Sequence, residues 1–360
     1  MKTNTAWLTQ EELHRKWDVS YGTIKKWRQE GLPCYEVGKN ICFLDSDVTT
    51  FILAKKAVKP KVAEKPSGDG IWHQVTAGDV DITDITTDLQ VIRPSETRFG
   101  YGINCYVGCE HGCLYCYGIA TAHKKTDEWS HPQPKLDLIA KLQKDIAIIN
   151  QHPELRIDIK DIMICSITDC YQPLEQQHHL TREVVKTLKQ NDLPFTILTK
   201  SHHVIDDINL FKGYDKCRVG LTVVTLDDMF RQLLEPHAST IAERIEALKQ
   251  LKGAGISTYC SVEPIMPDKH VSHPIAIVDR LKDYVNLFEF GIWNPKRGDL
   301  KKQVEETVGF KYEGYDYLKV MTDINNHCDQ HGVEYCHAGH SKEWLERNQL
   351  KFIPYPLVIA

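Results

Sequence analysis

The sequence predicts an α/β protein in two parts: a small helix-turn-helix unit with a hairpin, then a barrel of six β/α repeats. Three observations lead there. From Phe99 onward, short apolar runs alternate with helical segments. That alternation calls for a parallel sheet, and repeated one-handed crossovers curl it toward a barrel. Residues 6–54 carry their own caps, turns and apolar periodicity, and residues 55–70 are a Lys-, Pro- and Gly-rich stretch of the kind that links domains. The expected division is 1–56, a linker and lead-in over 57–92, the barrel over 93–346, and a tail over 347–360.

In the first part, Thr9 and Glu12 form a capping box that opens a helix bearing Leu13 and Trp17 on one face. Asp18-Val19 turns the chain and Ser20 caps a second helix through Ile24, Lys25, Lys26, Trp27 and Arg28, which Gly31 and Pro33 stop. Tyr35–Val37 and Ile41–Phe43 flank Gly38-Lys39-Asn40 as a hairpin, and Ser46 caps a last helix through Phe51. Helix, turn, helix, wing and helix is a DNA-binding plan with the second helix suited to the major groove. The stretch resembles the winged helix-turn-helix domains of phage excisionases and MerR-type regulators. That resemblance implies DNA contacts from Ser20, Tyr21, Thr23, Lys25, Lys26 and Arg28, with Lys39 on the wing near phosphate. The alternative is a solvated basic face on a unit that docks protein. Trp17 and Trp27 are expected in the core.

Composition bounds the rest. A chain of 360 residues can bury a sizeable core, and its net charge of −5 excludes a global basic field, so any contact with nucleic acid must be local. No apolar run reaches membrane-spanning length, and the N-terminus lacks a signal-peptide core. Twelve cysteines in a long chain without an export signal point to a reducing, cytoplasmic compartment and to metal chemistry.

The barrel strands are expected at 99–106, 161–166, 195–199, 219–224, 257–262 and 287–292. Helices are expected at 134–150, 181–191, 241–253 and 273–284, and a final helix over 315–331 leads to a strand at 333–335. Ligands of such folds sit at the C-terminal ends of the strands.

Just after the first strand comes Asn104-Cys-Tyr-Val-Gly-Cys-Glu-His-Gly-Cys-Leu-Tyr-Cys-Tyr117, which spaces Cys109, Cys113 and Cys116 as C-x3-C-x2-C. Three thiolates so spaced hold three irons of a [4Fe-4S] cube and leave the fourth open to the amino and carboxylate groups of S-adenosylmethionine. Tyr115 is the aromatic expected to border the adenine. A zinc site completed by Cys105 is the competing reading. Spacing and aromatics together read as the radical S-adenosylmethionine signature.

The second part resembles the spore photoproduct lyase-like branch of that superfamily, the DNA repair photolyases. The likeness rests on Gly108–Tyr117, Ser166–Glu175 with Leu180-Thr-Arg182, Leu198–Ser201, Leu234-Glu-Pro236, and Arg244 through Gly255-Ile256. It implies a partial (β/α)6 TIM-like barrel, a [4Fe-4S] cluster, S-adenosylmethionine, a flavodoxin- or ferredoxin-type electron donor and DNA as partner. It places Thr168 and Asp169 at the methionine amino group and Lys200 at the methionine carboxylate. Thr222 or Thr225 would reach the ribose hydroxyls. Two departures stand out. Cys105 replaces the proline of the family's Asn-Pro-Tyr, and Ile167 stands where the lyase keeps its hydrogen-donating cysteine. The candidates for that donor are Cys170, expected to be the more exposed, Cys165 and Cys336.

In the tail, Cys328, His331, Cys336 and His340 could bind zinc or an extra cluster, and a helix end followed by a strand explains them equally well. Three functions follow: radical repair or modification of a DNA base, radical chemistry on a peptide, RNA or metabolite, or a non-catalytic redox sensor that binds DNA.

Overall fold

The computed structural model describes residues 7–17, 21–37, 40–44, 47–48, 51, 82–95, 100–266, 273–292, 298–309, 315–338, 342–348 and 350. The chain forms two units, Met1–Ser67 and Gly68–Ala360.

In the first unit, β1 (Trp7–Thr9) leads into helices Gln10–Trp17 and Tyr21–Gln29, followed by β2 (Tyr35–Val37) and β3 (Asn40–Leu44). The strands pair antiparallel in the order β1-β3-β2. The expected capping box is present: the Thr9 hydroxyl accepts from the Glu12 N–H at 3.2 Å, and the Glu12 carboxylate accepts from the Thr9 N–H at 2.8 Å. Leu13, Ile24, Leu32, Phe43 and Val48 make the core, with Trp27 packed against it. Lys25 and Lys26 are exposed, whereas Arg28 is half-buried and its Nε has no hydrogen-bond partner among the described residues. Ser20, Lys39 and Ser46 lie outside the described residues, as do the side chains of Trp17, Tyr21 and Thr23.

The second unit is built on β4 (Arg93–Pro94), β5 (Tyr101–Ile103), β6 (Tyr106–Val107), β7 (Gln133–Pro134), β8 (Ile162–Ile164), β9 (Phe195–Thr199), β10 (Cys217–Thr222), β11 (Ser257–Ile265), β12 (Leu287–Ile292) and β13 (Tyr335–His337). Eight of them form one sheet in the order β13-β12-β11-β10-β9-β8-β5-β4. All pairings from β5 to β13 are parallel, and β4 runs antiparallel at one edge. Each parallel strand lies beside the one before it in this mixed α/β sheet, the order of a barrel laid open.

The expected strands at 195–199 and 287–292 and the helix Ile241–Gly253 appear with their expected bounds. The first strand differs. It breaks after Ile103, and Tyr106–Val107 leaves the main sheet to pair antiparallel with Gln133–Pro134. Beyond the six expected repeats, β13 adds a seventh parallel strand, because Tyr335 buries its ring in the core shared with Ile324 and Cys328 of helix Tyr317–His331.

The two faces of the sheet carry different residues. Ile103, Ile164, Ile197, Val219, Leu221, Val262, Phe288 and Phe290 pack with Leu142, Val184, Leu248 and Leu281 of the helices. The opposite face carries Met163, Tyr259, Leu287 and Cys336, with Leu198 against them. Period-2 alternation within each strand produces that division.

The lead-in is tied down by one side chain. Asp145, fully buried in helix Leu138–Gln151, accepts from the N–H groups of Gln90, Val91 and Ile92 at 2.7, 2.7 and 2.8 Å. Asp145→Ala leaves those donors without their acceptor, and an unfolding titration should show a loss of about 3–5 kcal/mol. A loss below about 1 kcal/mol would mean water replaces the carboxylate at no cost. Among the described residues, no helix is long and apolar enough to cross a membrane.

Candidate active site

The cysteine loop leaves the sheet after β5 and is held by glycine at both ends. Gly108 has φ +97°, and a Cβ there would stand 2.6 Å from the Trp129 carbonyl oxygen. At Gly118 a Cβ would meet the Ile167 carbonyl oxygen at 2.6 Å and the Trp129 ring at 2.7 Å. Only a residue without a side chain allows both approaches. Cys109, Ile119 and Trp129 cluster there, with Cys116 and Ile167 against them.

The loop is clamped onto the segment that follows β8. The Glu110 N–H donates to Gln172 Oε1 at 3.1 Å, Gln172 Nε2 donates to the Gly108 carbonyl at 3.2 Å, and the Leu174 N–H donates to Glu110 Oε2 at 2.7 Å. The Ile167 N–H donates to Asn104 Oδ1 at 3.2 Å. Tyr117 hydrogen-bonds the Ser166 carbonyl and Tyr106 the Glu175 carboxylate. Residues 104–117 and 166–175 thus form one polar lattice at the C-terminal ends of β5 and β8.

Asp169 is the centre of that lattice. Its Oδ1 accepts from the Thr199 hydroxyl at 2.6 Å and the Tyr171 N–H at 2.9 Å; its Oδ2 accepts from the Lys200 N–H at 2.8 Å. His111 Nδ1 stands 3.3 Å from Oδ2, an ionic contact without hydrogen-bond alignment. Burial opposes charge on both groups. On the histidine, the charges of Asp169 and then Cys109 outweigh it, and its pKa is pushed up to about 10. On the carboxyl, the charge of His111 and the donors around it outweigh burial and hold it well below the usual carboxylate range.

A carboxylate offers about four acceptor positions, and here three take protein hydrogen bonds while His111 faces the fourth. Asp169 thereby ties the cysteine loop, the segment after β8 and the end of β9 together. The Thr168 Oγ1 is buried beside the Cys165 thiol.

Lys200 is half-buried at the end of β9, with Nζ 5.7 Å from the centre of the Tyr115 ring. Burial disfavours its charge, but Cys113, Glu235 and Asp169 reverse that and raise its pKa. Tyr115 donates to Glu235, whose other oxygen pairs with Arg244 Nη2 at 2.6 Å. Thr222 is buried at the end of β10 and its carbonyl accepts from Arg244 Nη1 at 2.9 Å. The buried Thr225 hydroxyl accepts from the Asp227 N–H at 3.0 Å, so it stabilises a turn.

The donor set suits an iron–sulfur cube. None of the twelve cysteines is in a disulfide. Cys109, Cys113 and Cys116 share one loop. Burial raises the Cys113 and Cys116 thiols, and Lys200 works against it at both. Among the described residues, no three His, Cys, Asp or Glu side chains gather where one ion could bind them all. In a cube each thiolate binds a different iron, so the ligands stand farther apart than around a single zinc. Thr168 and the Lys200 ammonium stand at the adjoining strand ends, Lys200 over the Tyr115 ring.

The proposed hydrogen donors are placed differently from expectation. Cys170 is fully buried, not exposed, and its thiol points to the Leu198 carbonyl at 3.8 Å. Cys165 sits at φ +59° with its Sγ accepting from the Cys105 N–H at 3.4 Å. All three thiols belong to the core on the helix side of the sheet. Cys336 instead lies on the opposite face with Met163, Tyr259 and Leu287. Among the described tail residues no metal-binding group forms: Cys328 is buried in its helix and exposed His331 bonds the His327 carbonyl at 2.8 Å, while His340 is outside the described residues. His337 turns toward the helix side, with Nε2 2.9 Å from Asn325 Oδ1. Sequence reasoning missed His111, Glu235 and Arg244 as site residues. All three lie in runs that carry the family resemblance, Gly108–Tyr117, Leu234-Glu-Pro236 and the segment opening at Arg244, and that was the signal available for them.

Residues 103–281 match the family model described as Radical SAM superfamily. An uncharacterized protein of Methanocaldococcus jannaschii is 30% identical over 235 residues, covering 64% of this chain and 83% of that protein. One from Acidianus two-tailed virus is 27% identical over 267 residues, covering 70% and 85%. Among solved structures, spore photoproduct lyase complexed with dinucleoside spore photoproduct aligns with a TM-score of 0.51 at 15% identity, covering 73% of this chain and 86% of that one. SuiB of Streptococcus suis bound to S-adenosylmethionine aligns with a TM-score of 0.50 at 12% identity, covering 70% and 53%. At these identities the two structures share the fold.

Proposed function

The chain belongs to the Radical SAM superfamily, whose members use a [4Fe-4S] cluster and S-adenosylmethionine, and we propose that it repairs or modifies a DNA base held by its N-terminal unit. The observation that carries the enzymatic part is the meeting of the cysteine loop with Thr168, Asp169 and Lys200 at the strand ends. When bound, cluster and cofactor supply a 5′-deoxyadenosyl radical, given an electron from a flavodoxin- or ferredoxin-type donor. In this reading Cys109, Cys113 and Cys116 hold the irons, and Thr168 and Lys200 hold the methionine end. Tyr115 borders the adenine, and Thr222 or Thr225 lines the ribose side. Asp169 keeps the loop, His111 and Lys200 in register.

The DNA part is supported by exposed Lys25 and Lys26 on the second helix of a helix-turn-helix with a hairpin, with Ser20, Tyr21, Thr23, Arg28 and Lys39 as the other proposed contacts. The fold shared with spore photoproduct lyase supports it as well. A base would have to leave the duplex to reach a barrel interior. Lys25→Ala/Lys26→Ala should weaken binding to a 20–30 bp duplex about tenfold near 0.15 M salt and reduce the salt slope by about two. Unchanged affinity and slope would remove that helix from the interface.

A second reading, radical chemistry on a peptide, RNA or metabolite, is favoured by Ile167 at the donor position and by the burial of Cys165 and Cys170 on the helix side. It leaves Cys336 as the donor candidate on the opposite face. The readings part in one experiment: 5′-deoxyadenosine release with and without duplex DNA, for the full chain and for a chain lacking residues 1–56. Stimulation by DNA that needs the N-terminal unit supports the first reading. Indifference to both supports the second, and no release from reconstituted, reduced protein leaves a redox-sensing DNA binder.

A further inference from the structure

A buried ion pair stands behind the cysteine loop, and the roles proposed above leave it without one. Glu235 and Arg244 are both fully buried and lie 2.6 Å apart. Arg244 is held by the carbonyls of Thr222 and Ser239, each at 2.9 Å, and Glu235 receives the Tyr115 phenol. The same segment grips the loop through its backbone. The Leu114 N–H donates to the Leu234 carbonyl at 2.9 Å, and the His237 N–H donates to the His111 carbonyl at 3.2 Å. Gly112 faces Pro236 so closely that a Cβ would stand 3.2 Å from its ring. Residues 234–237 therefore clasp the loop at 111, 112, 114 and 115, on both sides of Cys113.

Two full charges in a dry core cost more solvation than most ion pairs return, and apolar residues of similar volume often stabilise such a site as well or better. Packing alone gives no reason for a carboxylate and a guanidinium here. The directed bond to the Tyr115 phenol does. An aromatic ring on a loop can turn about two side-chain bonds, and a hydrogen bond from its oxygen to an anchored carboxylate fixes its plane.

Resting on the radical reading, we propose that Glu235 and Arg244 are positioning residues that lock Tyr115 and the cysteine loop in the orientation that receives S-adenosylmethionine. Arg244 anchors Glu235 to the ends of the neighbouring crossover, Glu235 fixes the phenol, and the fixed ring sets one wall of the cofactor site.

Three variants of the full chain, anaerobically reconstituted with iron and sulfide, test this: Tyr115→Phe, Glu235→Met/Arg244→Met, and the triple combination. The probe is S-adenosylmethionine itself. Its affinity is measured by equilibrium dialysis, and the change it causes in the electron paramagnetic resonance spectrum of the reduced cluster gives a readout that a merely structural role would not move. Tyr115→Phe and the paired variant should each weaken affinity about tenfold and blunt the spectral change. The triple variant should be no worse than either, because all remove one shared bond. Affinity within about twofold of the parent in Tyr115→Phe, or effects that multiply in the triple variant, overturns the proposal.

Hydrogen exchange over residues 109–117 in the iron-loaded protein keeps the two readings apart. A parent that binds no S-adenosylmethionine ends the radical reading alone; faster exchange of the loop in Tyr115→Phe still supports the clasp, and unchanged exchange overturns it. If the paired variant does not fold, Tyr115→Phe decides by itself.

Discussion

Cys113→Ala should abolish release of 5′-deoxyadenosine from S-adenosylmethionine, a loss on the order of a thousandfold or more, with iron per chain falling alongside it. Cys113 sits in the middle of the loop, between backbone bonds that do not involve its side chain. The loop path survives the substitution while one iron loses its ligand. The matched control is Cys217→Ala. Cys217 is more deeply buried and lies at the start of β10, at the opposite end of the strands, where its thiol bonds the Tyr214 carbonyl at 3.2 Å. That control should keep iron and product, at a cost of about 1 kcal/mol of stability. Full iron and full product in Cys113→Ala would remove the cluster from this loop.

Asp169→Asn should cost about 3–5 kcal/mol, seen as a fall in melting temperature of about 6–10 °C, together with loss of cofactor turnover. The amide presents two N–H groups where the carboxylate accepts from Thr199, Tyr171 and Lys200. At least one donor then faces another donor. The substitution also removes the charge opposite His111, which is itself buried. Removing one partner of a buried pair costs more than the pair is worth, because the other charge stays behind without compensation. A variant that melts within about 2 °C of the parent would show that Asp169 does not hold the loop to the segment after β8.

Much of the architecture was readable before any coordinates. The strands at 195–199 and 287–292 and the helix Ile241–Gly253 were legible because each is a run with one period and clear punctuation: Thr240 and Glu243 close a capping box, and a glycine follows. The first strand was less so. Its apolar pattern runs on past Ile103, yet Tyr106 is drawn aside by Glu175 and by pairing with Pro134, contacts with residues far along the chain.

The candidate site divides the same way. The cysteine spacing needs only local sequence to be read, because the ligands of the cube lie on one short loop. The sequence marks Asp169 by its place after a strand, whereas His111, Thr199 and Lys200 reach it from two other segments, which no local pattern shows. The sequence predicts an exposed Cys170 because it follows that loop carboxylate; the turn instead buries it against β9.

By itself, then, the amino-acid order determined that this is an α/β chain with a thiolate loop after its first parallel strand, because periodicity, caps and ligand spacing act over a few residues. Which charges stand behind that loop, that Glu235 and Arg244 anchor Tyr115, and that Cys105, Cys165 and Cys170 face the helices while Cys336 faces the other way, only the tertiary structure decided. Burial and pairing are set by contacts between segments 60 to 120 positions apart, as in the bonds from Cys105 to Cys165 and from Tyr115 to Glu235. No window along the sequence contains both partners.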